Sequence, residues 1–128
     1  MTGMRPQTAL YDFFSLLLMQ VGSAAHAQQL PDGTYRNGSQ EGMSLQVSLV
    51  NNRVEVSVGT VGCLGLVEGW LGHNPSGQLF IVADDYEQSQ CVIQVFPEGG
   101  RGFRMQQGPG CIYHHGAACS FEGTVWLQ

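Results

Sequence analysis

Residues Met43 to Val58 read MSLQVSLVNNRVEVSV. Met43, Leu45, Val47 and Leu49 are apolar, and Ser44, Gln46 and Ser48 stand between them. Beyond Asn51-Asn52 the alternation resumes with Val54, Val56 and Val58, separated by Glu55 and Ser57. A period of two puts every second side chain on one face, so both halves read as strands with a single buried face. Asparagine tolerates the positive φ that a tight hairpin turn requires at both central positions. A turn at 51–52 pairs residues whose numbers sum to 103: Leu49 with Val54, Val47 with Val56, Leu45 with Val58. Each apolar side chain then meets another across the ladder, so burial and turn geometry specify the same register.

The same theme repeats outward from this hairpin. Gly33-Thr34-Tyr35 opens a first strand, and Leu64 to Leu71 follows the hairpin. The turn His73-Asn74-Pro75-Ser76-Gly77 leads into Leu79 to Ala83, and a polar loop, Asp84 to Ser89, precedes Cys91 to Phe96. Pro97 to Gly100 turns the chain into Gly102 to Gln106, and a glycine-punctuated loop from Gln107 to Ala118 precedes a last strand, Cys119 to Leu127. No stretch from residue 28 onward shows a helical period. About eight short strands at intervals of roughly 8 to 12 residues predict an all-β fold, a sandwich or a barrel. Short connections favour an up-and-down antiparallel meander, and closure of the last strand on the first would remove its exposed edges. The expected architecture is therefore a small closed barrel. In such a meander the connections alternate between poles. Asn51-Asn52, His73 to Gly77 and Pro97 to Gly100 share a short-turn pole, while Arg36 to Gly42, Thr60 to Gly62, Asp84 to Ser89 and Gln107 to Ala118 share a long-loop pole.

The N-terminal residues read as an address. Arg5 precedes an apolar run, Phe13 to Met19, and Ala25-His26-Ala27 has the small-x-small pattern of a signal peptidase site. The run is shorter than the roughly 20 residues that span a bilayer. The expectation is a signal peptide over residues 1–27 and one barrel domain over 28–128, with no stable membrane span after cleavage and a periplasmic or secreted destination. The whole chain of 128 residues holds 5 Lys plus Arg against 10 Asp plus Glu, a net charge of -5. All the bases are arginines, scattered singly, which disfavours nucleic acid as a partner. The residues carry no signal for an oligomeric state.

Cys63, Cys91, Cys111 and Cys119 all fall in the expected mature part. An even number in a short exported chain implies disulfides. Three connectivities exist for four cysteines. The local choice joins Cys111 to Cys119 and leaves Cys63 to Cys91, which requires Cys63 to stand on a loop outside the ladder. Bridges at the long-loop pole would stiffen its rim and lower the entropy lost on binding.

Candidate chemistry is sparse. There is no Gly-x-Ser-x-Gly, no lysine anywhere, and no free thiol once two bridges form. Gly108-Pro109-Gly110 lacks the Lys and Ser/Thr of a phosphate loop. Enzymatic function and a bound cofactor are therefore not expected. Asp84-Asp85-Tyr86-Glu87 concentrates carboxylates around an aromatic ring, suited to attracting a basic partner. Tyr113-His114-His115 lies in the last long loop and could add amphipathic contact surface. Adjacent imidazoles could alternatively bind copper or zinc, although neighbours on extended backbone point apart. Trp70 and Trp126 are expected to fill the barrel. An eight-stranded barrel is just wide enough for side chains or one small ligand, so a lipocalin-like carrier is a further alternative.

The leader, the Gly33-x-Tyr35 strand, the cysteine-stapled meander and Phe121-Glu122-Gly123-Thr124 resemble small secreted barrels of Gram-negative bacteria. In architecture the chain is similar to periplasmic lysozyme inhibitors of the membrane-bound/C-type class. The likeness covers the mature chain in outline. Ser76-Gly77 echoes that family's inhibitory loop in two residues but stands at the short-turn pole, so no functional residue is carried over. The expected function is an exported, non-enzymatic binding or inhibitor module. Its partner would be a protein, such as a cationic hydrolase, held through Asp84, Asp85, Tyr86, Glu87, Tyr113, His114 and His115.

Overall fold

The computed structural model describes residues 30–38 and 42–128. The expected signal peptide lies outside the described residues. Strands β1 (Gly33–Arg36), β2 (Ser44–Val50), β3 (Arg53–Thr60), β4 (Cys63–His73) and β5 (Leu79–Ala83) follow one another. A single-turn helix α1 (Tyr86–Ser89) precedes β6 (Val92–Glu98) and β7 (Gly102–Gln107). A 3-10 helix (Pro109–His114) and then β8 (Gly123–Leu127) complete the chain. The eight strands form a closed antiparallel barrel in sequence order. β8 returns to β1 through Tyr35 opposite Leu127 and Arg36 opposite Trp126.

The hairpin register is as the alternation requires, with Leu49 opposite Val54, Val47 opposite Val56 and Leu45 opposite Val58. Asn51 and Asn52 adopt φ of 52° and 68°, the left-handed region that matches the turn to the right-handed twist of the strands. Inward side chains from every strand close the core, and Tyr35, Phe103 and Phe121 are its largest fully buried members. Tyr35 and Phe103 pack with ring centroids 4.9 Å apart. The Tyr35 hydroxyl donates to the Pro31 carbonyl at 2.5 Å, and burial pushes its pKa above the ordinary phenol value. Space left between Leu49, Val54, Ile81 and Phe103 is about 10 Å³, at the lower limit for a single water. Among the described residues, inward side chains fill this part of the barrel.

Three expectations are corrected. Trp70 and Trp126 do not fill the barrel; they are 55% and 45% exposed. Val67 and Val125 are buried, so the pleat turns Trp70 and Trp126 outward. Trp70 carries the Arg53 guanidinium 5.1 Å from its ring centroid, and Trp126 lies against Gly102, where a Cβ would meet its ring at 2.4 Å. The last strand starts at Gly123 rather than Cys119, because residues 119–122 cross the barrel mouth. There Phe121 is wholly buried and its amide donates to the Gln107 side-chain oxygen at 2.8 Å.

The third correction concerns the disulfides, which join Cys63 to Cys119 and Cys91 to Cys111. Cys63 is inside the ladder opposite Thr60, not on a loop. β5 separates β4 from β6, so a Cys63–Cys91 bridge would span two strand spacings, about 9 to 10 Å, against a Cα limit near 7 Å.

The turn supplies a direct test. Asn52→Ala places a side chain that disfavours positive φ in the turn and should lower stability by about 1–2 kcal/mol, while Asn52→Gly should keep or raise it. Urea denaturation of both variants decides; equal stability of Ala and Gly at this position would contradict the turn type.

Candidate functional site

β4 has 11 residues and its neighbour β5 has 5. Pairing between them covers Gly69 to His73, so the Cys63–Val67 half of β4 extends past its partner. An unpaired strand edge must find other donors and acceptors. The long connection 108–122 provides them and acts as a strap. His115 bridges Gly65 in antiparallel fashion, and the Gly116 amide donates to the Leu64 carbonyl at 3.3 Å. Gly65 makes this approach feasible, since a Cβ there would lie 2.4 Å from the His115 Cβ.

The strap is pinned at both ends of its course. On leaving β7, Gly108 donates to the Val92 carbonyl at 2.8 Å, and the 3-10 helix carries Cys111 to Cys91. Gly110 packs so closely on α1 that a Cβ would meet the Ser89 carbonyl oxygen at 2.0 Å. Beyond His115 the chain reaches Cys63 through Cys119. Between these staples Ile112 and Tyr113 face solvent, Tyr113 being 77% exposed.

α1 faces the strap. The Asp85 carboxylate accepts from the Ser89 hydroxyl at 3.0 Å and lies 3.0 Å from His114 Nε2. The Ser89 oxygen in turn accepts from the Cys91 amide at 3.1 Å. Ser, Asp and His thus meet, but in the wrong order for a nucleophile. The carboxylate, not the imidazole, is central, so the imidazole does not contact the Ser89 hydroxyl, and Ser89 is only 7% exposed. Tyr86 and Glu87 project outward from the same turn, and a shallow cleft of about 320 Å³ separates Gln88 and Gln90 from Pro109 and Tyr113.

Asp85, Tyr86, Glu87, Tyr113 and His114 therefore gather at one pole. His115 turns toward the mouth instead. Its Nε2 is 3.2 Å from the Gln107 side-chain oxygen, its Nδ1 is 2.6 Å from the Gly116 carbonyl, and its ring stands edge-on to Phe121 at 5.1 Å. The two imidazoles have separate partners, and no group of three or more His, Cys, Asp or Glu side chains converges among the described residues. Asp84 lies apart on the outer wall. Arg53 donates to both of its carboxylate oxygens, one at 2.6 Å, and also approaches Glu68 at 3.8 Å. The bonds from Arg53 hold the Asp84 carboxyl below its ordinary pKa of 3.8.

Two leucines escaped the sequence reading. Leu64 and Leu66 are 79% and 49% exposed on the outer face of β4. Extending the hairpin arithmetic across the turn at 61–62 would have exposed them, since Val58 faces Gly65 and places its neighbours outside. Comparison with protein-family models, curated proteins and solved structures finds no match for this chain.

Both staples and the wall pair are testable. The bridges span 56 and 20 residues, which the chain-entropy model converts to about 4 and about 3 kcal/mol. Replacing Cys63 and Cys119 by serine should therefore destabilise more than replacing Cys91 and Cys111, as read by chemical denaturation. A reversed order would show that the strap is held elsewhere than at β4. For Asp84, a depressed folded pKa means stability that is present above the ordinary carboxyl range and lost as pH falls through the folded value. Asp84→Asn should be less stable than the parent at pH 7, with the gap closing below about pH 4; a gap independent of pH would refute the ion pair.

Proposed function

We propose that this protein is an exported, non-enzymatic binding module that engages a protein partner, as an inhibitor of a cationic hydrolase such as a lysozyme would, through the pole built by α1 and the strap. The observation that carries this reading is the exposure of Tyr86, Ile112 and Tyr113 beside Asp85 and Glu87 on backbone fixed by two disulfides. Aromatic side chains offer large contact area with few torsions to freeze, and a pinned scaffold spares the loop-ordering entropy of binding. Glu87 and the acidic chain as a whole favour a basic partner through faster encounter. The disulfides are compatible with an extracellular or periplasmic location. Among the described residues no helix is long and apolar enough to cross a membrane.

A central aromatic anchor of this kind carries more than about 1 kcal/mol. Against a panel of basic and acidic hydrolases, calorimetry should find selective binding of a basic member that weakens between 50 and 200 mM salt. Tyr113→Ala should weaken it about tenfold or more, and Glu87→Gln should slow association and flatten the salt dependence. Binding to no basic hydrolase, or binding indifferent to both substitutions, would reject the proposal.

A further inference from the structure

The outer wall beside the strap carries a second feature. In the outward rows that run across β2, β3 and β4, Ser44, Gly59 and Leu64 align, then Gln46, Ser57 and Leu66. Small and polar residues on β2 and β3 form a floor, while Leu64, Leu66 and the overhanging Tyr113 form an apolar side, enclosing an open groove of about 720 Å³. The solvent face of an antiparallel barrel is normally polar, so adjacent exposed leucines on one strand are an anomaly in the pattern.

The next row toward the short-turn pole sets Glu55 directly opposite Glu68. Like charges in that arrangement repel. Relief is partial: Arg53 donates to Asp84 and to the Gly69 carbonyl and forms a long ion pair with Glu68 at 3.8 Å, while Glu55 has no ion pair among the described residues. On the opposite side of the groove, Arg36 is held by the Gln46 side chain at 2.9 Å. The groove therefore has an apolar seat and, one row along, two facing carboxylates, of which Glu68 shares Arg53 with Asp84 and Glu55 has no ion pair among the described residues.

We infer that this groove receives an extended segment of the partner in which an apolar side chain, seated against Leu64, Leu66 and Tyr113, is followed two residues later by Lys or Arg bridging Glu55 and Glu68. The inference rests on the protein-partner reading above and adds where that partner lies and what it presents. Successive outward rows are separated by two residues of strand, roughly 6.7 Å, the same interval that separates alternate side chains of an extended ligand. The basic side chain relieves the repulsion between the glutamates while its apolar neighbour covers the leucines, so the two anomalies of this wall are answered by one occupant.

The probe is a twelve-residue peptide, (Leu-Thr-Lys-Thr)3, titrated into the isotope-labelled protein and followed by amide chemical shifts. Controls are (Leu-Thr-Glu-Thr)3 and (Ser-Thr-Lys-Thr)3. The expected result is shifts at Gln46, Ser57, Leu64 and Leu66, with both controls binding about tenfold more weakly or worse. Leu66→Ser and the pair Glu55→Gln with Glu68→Gln should each weaken the Leu-Lys peptide about fivefold or more. These are exposed positions, so folding is retained. Shifts confined to Tyr86 and Glu87, no shifts at millimolar peptide, or equal binding of the glutamate control would overturn the inference. Leu66→Ser assayed against the basic hydrolase separates the two proposals. Loss of hydrolase binding with Tyr113→Ala but not with Leu66→Ser rejects the groove and keeps the module. Peptide binding in the groove with no hydrolase bound keeps the groove and rejects the partner assignment.

Discussion

An eleven-residue strand laid beside a five-residue one leaves backbone amides and carbonyls without a neighbour, and the upper half of this barrel is organised around that deficit. Residues 108–122 supply the missing neighbour at Gly65 and Leu64, and in doing so they close the mouth with Phe121 and hold α1 through His114 and Asp85. Hydrogen bonds at one bridge would be too few to keep so long a connection in place. The bonds from Cys63 and Cys91 make the attachment durable. The lower half is joined by short turns and holds neither disulfide.

The consequence for binding is a division between a rigid body and a decorated rim. Inward positions are committed to a filled core, and only outward and polar-end positions are free to meet another molecule. The strap places Tyr113 where both the α1 cleft and the wall groove can use it. Side chains offered from such a frame do not have to be ordered at the moment of association.

Much of the fold was legible because period-two burial is a local signal. The residues around Asn51-Asn52 specify strand, turn and register together, and alternation of connections between the poles follows from meander topology alone. The strap was not legible. Its glycines read as loop, and nothing local in Gly108 to Glu122 says that β4 outruns β5. The disulfide pairing failed for the same reason: proximity along the chain favoured Cys111 with Cys119, whereas the strap carries these residues to different strands. The candidate site was half legible. Asp85, Tyr86, Glu87, Tyr113 and His114 meet at the long-loop pole, but Asp84 is spent on Arg53 and His115 on Gln107. Trp70 was misjudged through attention to hydrophobicity over parity, and Leu64 and Leu66 were passed over; carried past the turn at 61–62, the register that sets Val58 against Gly65 puts all three outside.

The bridge between Cys63 and Cys119 encloses the one between Cys91 and Cys111. A chain that emerges N-terminus first presents Cys63 and Cys91 to an oxidant before either has met its native mate. The earliest crosslink available is one that the finished protein does not contain, and it would tie together two strands that β5 must later separate. In an oxidising compartment, reaching the nested pairing would then require the barrel to close before the thiols are consumed, or exchange chemistry that undoes a premature link.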